Sequence, residues 1–314
     1  MRESTIWQRL TRRFEARCPP LGGFVPVEGG RVHFLADGPR EGDTPPIVLI
    51  HGASGNLRDF ALALMPLLAR KRHVIAVDRP GFGHSSHAVG AVRLTGQVRV
   101  LRTALRRLGH RRAVLVGHSY GAAVAMAWAL EHADDVAALG LVSGATMDWG
   151  GGLGALYRLG GTRGLGFLVS QLAPFTREAV IERTLASIFT PDPVPARYRA
   201  EGGVELALRP ATFRLNARQV NALHAQVVAR EADYPRISCP VAIVHGERDG
   251  VVPAEVHAKP LAARVPHARL TLLPEAGHMP HHAQAEAVAD AILAALPARP
   301  ATGEPRRSGA PSRP

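Results

Sequence analysis

Three side chains in this sequence have the types and settings needed to attack an acyl group. Ser119 sits in LVGHSYGAA, residues 115–123, between Gly117 and Gly121, after an apolar run and before an alanine-rich one. This is the G-x-S-x-G pattern of a sharp strand-to-helix turn, the nucleophile elbow. The serine must hold a strained backbone conformation while the chain reverses, so bulk at the flanking positions would clash with neighbouring strand and helix. The turn lifts the hydroxyl above the end of the strand. It also sets it at a helix N-terminus, where free N–H groups and the helix dipole favour negative charge.

A serine hydroxyl is a weak nucleophile at neutral pH and needs a general base. Of the 15 histidines, His278 is best placed, because LTLLPEAGHMPHH sets it in a loop directly after an apolar run. His281 and His282 compete with it from the start of the last helical stretch. The base needs a carboxylate to orient it, and VAIVHGERDGVVP offers Asp249 in the loop after another apolar run. Glu247 lies two residues earlier and reads as a turn cap. Asp148, after LGLVSGATM, is a second candidate acid. Serine, aspartate and histidine thus follow one another on strand-end loops. Acyl transfer also needs two N–H donors for the developing oxyanion. One is expected from Tyr120 and the other from HGASGNLRDF, where His51 and Gly52 shape the turn and Ala53 is the expected donor, with Ser54 behind it.

The elements that must position these residues follow from hydrophobic periodicity. GFVPV, RVHFLA, PIVLIHG, HVIAVDRPG, RAVLVGHS, AALGLVSGA, VAIVHGERD and RLTLLPEAGH read as strands, several of them near-continuous Val/Ile/Leu runs fit for a sheet buried on both faces. DFALALMPLLARK, LTGQVRVLRTALRRLG, YGAAVAMAWALEHA and AEAVADAILAAL read as helices between and after them. The alternation predicts an α/β chain with a mainly parallel, doubly wound, eight-stranded sheet, its first two strands an antiparallel hairpin at one edge. It stops over residues 148–234, which read as a helical insertion. The remaining divisions are a basic N-terminal segment (1–20), a core (21–147 and 235–297) and a Pro/Gly/Arg-rich tail (298–314) with the composition of a disordered segment.

Composition narrows the function classes. The 314 residues carry 46% hydrophobic and 20% charged residues, in the range of a globular chain with a sizeable core. No apolar run approaches the ~20 residues of a membrane-spanning helix. The net charge of +12 raises nucleic acid or an anionic membrane as partners. The arginines of LRTALRRLGHRR, however, alternate with a helical apolar stripe of Val98, Leu101, Leu105 and Leu108 and read as a solvated face. Neither that pattern nor the 5% aromatic content favours nucleic acid. Ile6, Trp7, Leu10 and Phe14 could line one face of a short N-terminal helix, either packed on the body or lying on a membrane surface. Arg12 and Arg13 are followed by FEARC rather than an apolar segment, so the start does not read as a signal peptide. Cys18 and Cys239 are far apart and in no metal-like spacing, which makes a reduced, cytoplasmic setting the expectation. The histidines show no metal-ligand spacing and no phosphate-cradling glycine loop is present, so no metal or cofactor is expected.

HGASGN, DRPGFGHS, GHSYG, HGERDGVVP and EAGHMPHH stand in the order found in α/β-hydrolase-fold enzymes, which this chain resembles over residues 23–297. The resemblance implies Ser119, Asp249 and His278 as the triad and Ala53 and Tyr120 as oxyanion-hole residues. It makes Asp78, Gly81 and Gly83 structural in the turn after the fourth strand. It also makes the insertion a helical cap over the acyl side of the pocket. Ser54, Trp149 and Phe213, with Tyr157, Phe167 and Phe175, are then candidate lining residues. A serine at the elbow, where epoxide- and halide-processing members carry aspartate, points to a small-molecule acyl substrate: ester, thioester, amide or a carbon–carbon bond.

Overall fold

The structure, a computed structural model, describes residues 5–151, 159–162 and 164–296. Eight strands form one sheet: β1 (Gly23–Val27), β2 (Gly30–Asp37), β3 (Ile47–Ile50), β4 (Val74–Val77), β5 (Ala113–His118), β6 (Val136–Val142), β7 (Val241–Gly246) and β8 (Ala268–Leu273). Their order is β1-β2-β4-β3-β5-β6-β7-β8. β1 and β2 form the expected antiparallel edge hairpin, and β2 also runs antiparallel to β4. From β4 to β8 all pairs are parallel. The loops after β3, β5, β7 and β8 therefore emerge at one edge, where open α/β sheets hold their ligands.

The apolar runs explain the two-sided burial. β3 to β7 are buried at every position. Period-two alternation then divides each strand between two cores: Val48 and Ile50 join one, Ile47 and Leu49 the other. The first core packs against the helices Leu94–Arg107 and Tyr120–Glu131, the second against Leu64–Ala69 and Ala285–Ala295. Each fully buried Leu or Ile in these layers contributes about 1.5–3 kcal/mol. Residues 120–129 are all buried. A helix apolar around its whole circumference must be surrounded, and Tyr120–Glu131 meets β3, β5, β6 and the helices Leu94–Arg107 and Pro210–Val228.

Between β6 and β7 the described residues are helical, in Leu165–Leu172, Glu178–Phe189, Tyr198–Glu201 and Pro210–Val228, with short 3-10 turns. Polar side chains fasten this insertion to the sheet edge. Asn56 Nδ2 donates to the Gly202 carbonyl, Thr212 Oγ1 to that of Gly81, and Gln219 Nε2 to that of Ala91. Asp192 Oδ2 accepts the Gly277 N–H, holding the loop that carries His278. The N-terminal helix Thr5–Arg17 buries Phe14, sets Trp7 edge-on to Phe175 and pairs Glu15 with Arg209. Ile6 stays exposed. No described helix is long and apolar enough to cross a membrane. The proposed tail and Tyr157 lie outside the described residues.

Candidate active site

Ser119 stands between β5 and the following helix with φ 52° and ψ −115°. A non-glycine residue in the left-handed half of the map costs roughly 1–3 kcal/mol, and surrounding structure must impose it. Here it does so by close packing. A Cβ on Gly117 would lie 2.3 Å from the Gly121 carbonyl oxygen, and one on Gly121 only 2.0 Å from that of Ile50. The Ser119 N–H donates to Val142, and its carbonyl accepts from Ala122 and Ala145. Backbone bonds thus hold both sides of the elbow. The neighbouring residue, His118, is tied by its ring to the His278 carbonyl at 3.0 Å, which brings the His278 loop to the elbow.

His278 and Asp249 meet as the sequence order required. His278 Nδ1–H donates to Asp249 Oδ2 at 2.8 Å. Asp249 Oδ1 accepts the N–H groups of Val251 and Val252. Burial by itself would raise the Asp249 carboxyl, but hydrogen bonds from His245 and His278 outweigh it and hold the group far below the usual carboxylate range. The carboxylate therefore stays charged, and its bond to Nδ1 leaves His278 Nε2 as the free basic nitrogen.

The competing assignments are occupied elsewhere. Asp148 is exposed and accepts from His224 Nε2 at 2.7 Å and from the Gly150 N–H. Glu247 is exposed. His281 and His282 both turn their Nε2 atoms to Asp59, at 3.2 and 3.0 Å. Asp148, His281 and His282 are thus engaged away from the Asp249–His278 pair.

The loop after β3 packs against the elbow. A Cβ on Gly52 would fall 3.2 Å from Ser119 Cβ. Among the described residues neither the Ala53 nor the Tyr120 amide donates in the loop and turn hydrogen bonds. Ser54 has a different partner from the one its candidate role implied. Its N–H donates to Asn216 Oδ1, and its Oγ accepts from Asn216 Nδ2, so it ties the loop to the insertion. Trp149 is half-buried against His224 and His257, and Phe213 is half-buried in the insertion. Phe167 and Phe175 are exposed, beside Arg214 and Trp7 respectively. A cleft of about 610 Å³ lined by Arg17, Cys18, Glu178, Arg199 and Glu205 contains none of Ser119, Asp249 and His278.

The turn DRPGFGHS is structural. Asp78 is buried and accepts from Leu57 N–H, His84 N–H and His33 Nδ1, and a Cβ on Gly83 would collide with its carboxylate. Ser85 and Ser86 serve the backbone of β2. Three groups that pattern reading passed over also converge here. Arg79, fully buried, donates to the carbonyls of His51 and Gly52 and to the side chains of Gln97 and Gln219. It lies over the ring of Tyr120. Burial lowers its guanidinium to about 10, still charged at neutral pH. On the other side, Asp59 and His118 are buried beside His281.

Residues 45–284 match the α/β hydrolase fold family. The chain belongs to that family. The hydrolase-fold chain is 32% identical over 306 residues to the dihydrolipoyllysine-residue acetyltransferase component of the acetoin cleaving system from Pseudomonas putida, covering 91% of this chain and 75% of that one. It is 28% identical over 258 residues to pimeloyl-[acyl-carrier protein] methyl ester esterase from Vibrio atlanticus, covering 80% and 94%. Among solved structures, 2-hydroxy-6-oxo-6-phenylhexa-2,4-dienoate hydrolase from Rhodococcus superposes with a TM-score of 0.70 at 21% identity, over 86% and 96% of the two chains, and supports the fold.

Proposed function

We propose that this chain is a serine hydrolase that cleaves a carboxylic ester through an acyl-enzyme. The observation that carries the reading is the buried 2.8 Å hydrogen bond between Asp249 and His278 on strand-end loops, the His278 loop being bonded to His118, the residue before a strained serine. His278 Nε2 takes the Ser119 proton as Oγ attacks the carbonyl carbon. The amides of Ala53 and Tyr120 receive the oxyanion, each such donor being worth about 3–4 kcal/mol in the transition state. His278 then gives its proton to the leaving alcohol, and water, activated by the same imidazole, releases the acid. Arg79 positions the oxyanion loop through the His51 and Gly52 carbonyls. The insertion acts as a cap on the acyl side, with Trp149 and Phe213 as contacts for an apolar acyl or aryl group.

A fluorophosphonate probe tests this directly. Wild-type protein should become labelled on Ser119, and His278→Ala should lose the label. Labelling elsewhere, or labelling independent of His278, would refute the mechanism. The relative with acetyltransferase in its name favours one variant of the reading, in which a thiol or alcohol rather than water accepts the acyl group. Partitioning of a common acyl donor between water and added thiol separates the two.

A further inference from the structure

The polar cluster behind the elbow has a feature the hydrolytic mechanism does not use. Asp59, on Arg58–Ala61, His118, the last residue of β5, and His281, on Pro280–Ala283, are all buried. Their inward atoms, Asp59 Oδ2, His118 Nδ1 and His281 Nε2, lie within 4.8 Å of one another. Oδ2 is 3.2 Å from His281 Nε2 and 3.9 Å from His118 Nδ1. His118 Nε2–H donates to the His278 carbonyl at 3.0 Å. In the neutral ring the proton is thereby placed on Nε2, so Nδ1 presents a lone pair. That lone pair has no donor among the described residues and faces a carboxylate oxygen. Two acceptors pointed at each other in a buried space repel unless a cation lies between them.

We propose that Asp59, His118 and His281 bind one divalent transition-metal cation of the zinc class. Two imidazoles and one carboxylate are a donor set that such ions favour. Ligand atoms around a tetrahedral ion at ~2.0–2.1 Å stand ~3.3 Å apart; Asp59 Oδ2 and His281 Nε2 are already at that spacing, and His118 Nδ1 would move inward from 3.9 Å. On two of the three residues the outer contacts are those of a metal site, while His281, whose Nε2 would pass its proton to Nδ1 on ligating, has no partner for Nδ1 among the described residues. Tyr198 Oη and His282 Nε2 both donate to Asp59 Oδ1, at 3.0 Å each, which leaves Oδ2 as the single ligating oxygen. His118 holds its second nitrogen on a backbone carbonyl, the usual support of a ligating histidine. Among the described residues no other group of histidine, cysteine and acidic side chains converges in this way. The ion would clamp three segments: the residue before Ser119, the continuation of the oxyanion loop, and the helix that follows His278. The proposal departs from the sequence-based expectation of no metal. Residues 59, 118 and 281 have no ligand spacing along the chain and meet only in the fold. The site stands whichever bond Ser119 cleaves.

Full-length protein stripped with a chelator and titrated with cobalt(II) tests it. The expected result is one tightly bound equivalent with the intense visible bands of a four-coordinate ion, displaced by zinc. X-ray absorption of the wild-type zinc form should show two imidazoles and one carboxylate. His281→Gln and Asp59→Asn should each weaken binding at least 100-fold, whereas Ser119→Ala should bind as wild type. Only weak, six-coordinate binding shared equally by wild type and His281→Gln would assign the metal to surface histidines and overturn the proposal. Should a variant fail to fold, the wild-type spectrum decides alone.

Discussion

Two buried charges of opposite sign flank the elbow, and their surroundings differ. Arg79 is ringed by neutral acceptors, two backbone carbonyls and two glutamine side chains, with aromatic rings on its faces. Asp59 shares its cluster with imidazoles, two of which keep a sealed nitrogen without a partner. The first arrangement has its strong donors matched, as a rigid support should. The second is incomplete, which is what a site for something small and positive looks like. Burying a charge is costly in either case. The difference shows which charge serves the scaffold and which has capacity left over.

The largest expected effects break the catalytic side of this contrast. Ser119→Ala and Asp249→Asn should each lower kcat on an activated ester by about 10⁴-fold or more while leaving the circular dichroism unchanged. Asp148→Asn should leave kcat at the wild-type value, since its partner is His224. A full loss in Asp148→Asn with activity retained in Asp249→Asn would reverse the assignment of the acid.

Next come changes to the support. Arg79→Met keeps bulk but strands several buried acceptors, each worth about 1–3 kcal/mol when left unpaired, so urea unfolding should show a loss of about 3 kcal/mol or more. Arg79→Lys should fail to restore it, because an ammonium cannot reproduce the fork that spans the His51 and Gly52 carbonyls. Full stability in either variant would show that the loop does not depend on this cation.

Per pH unit, the smallest effect is a slope of stability with pH. Burial, with Arg79 nearby, depresses His51 to about 3, and burial depresses His257 to about 4. Both stay neutral in the fold, while the unfolded chain takes up their protons near pH 6.5. Stability should therefore fall as pH drops from about 6.5 toward these values, by at most about 1.4 kcal/mol per pH unit for each group. Denaturant midpoints measured at pH 7, 6 and 5 check the sign. A midpoint that rises on acidification through this window contradicts the buried, neutral placement of His51.

Much of the fold was legible because its signals are local. Continuous apolar runs in β3 to β7 predicted strands buried on both faces, and the missing helix between β1 and β2 predicted their hairpin. The elbow was legible for the same reason: Gly117 and Gly121 are required by contacts only a few residues away or on the adjoining strand. The insertion was harder to read. Its aromatic residues gave no direction, and Phe167 and Phe175 proved to be exposed. What anchors it is a set of polar side chains, Asn56, Thr212, Asn216 and Gln219, whose partners lie far away in sequence. Arg79 escaped notice because an arginine in a turn reads as solvated until its burial is known.

By itself, then, the amino-acid order determined the sheet, the turn at Ser119 and the order of Ser119, Asp249 and His278 on strand-end loops, since backbone conformation and burial periodicity are written in neighbouring residues. Only tertiary structure decided that Asp249 rather than Asp148 receives His278, and that His281 and His282 turn away to Asp59. It also drew residues 59, 118 and 281 into one buried cluster. The reason is geometric: charge and hydrogen-bond pairing depend on distances through space, and those exist only once the sheet has brought remote loops to a common edge.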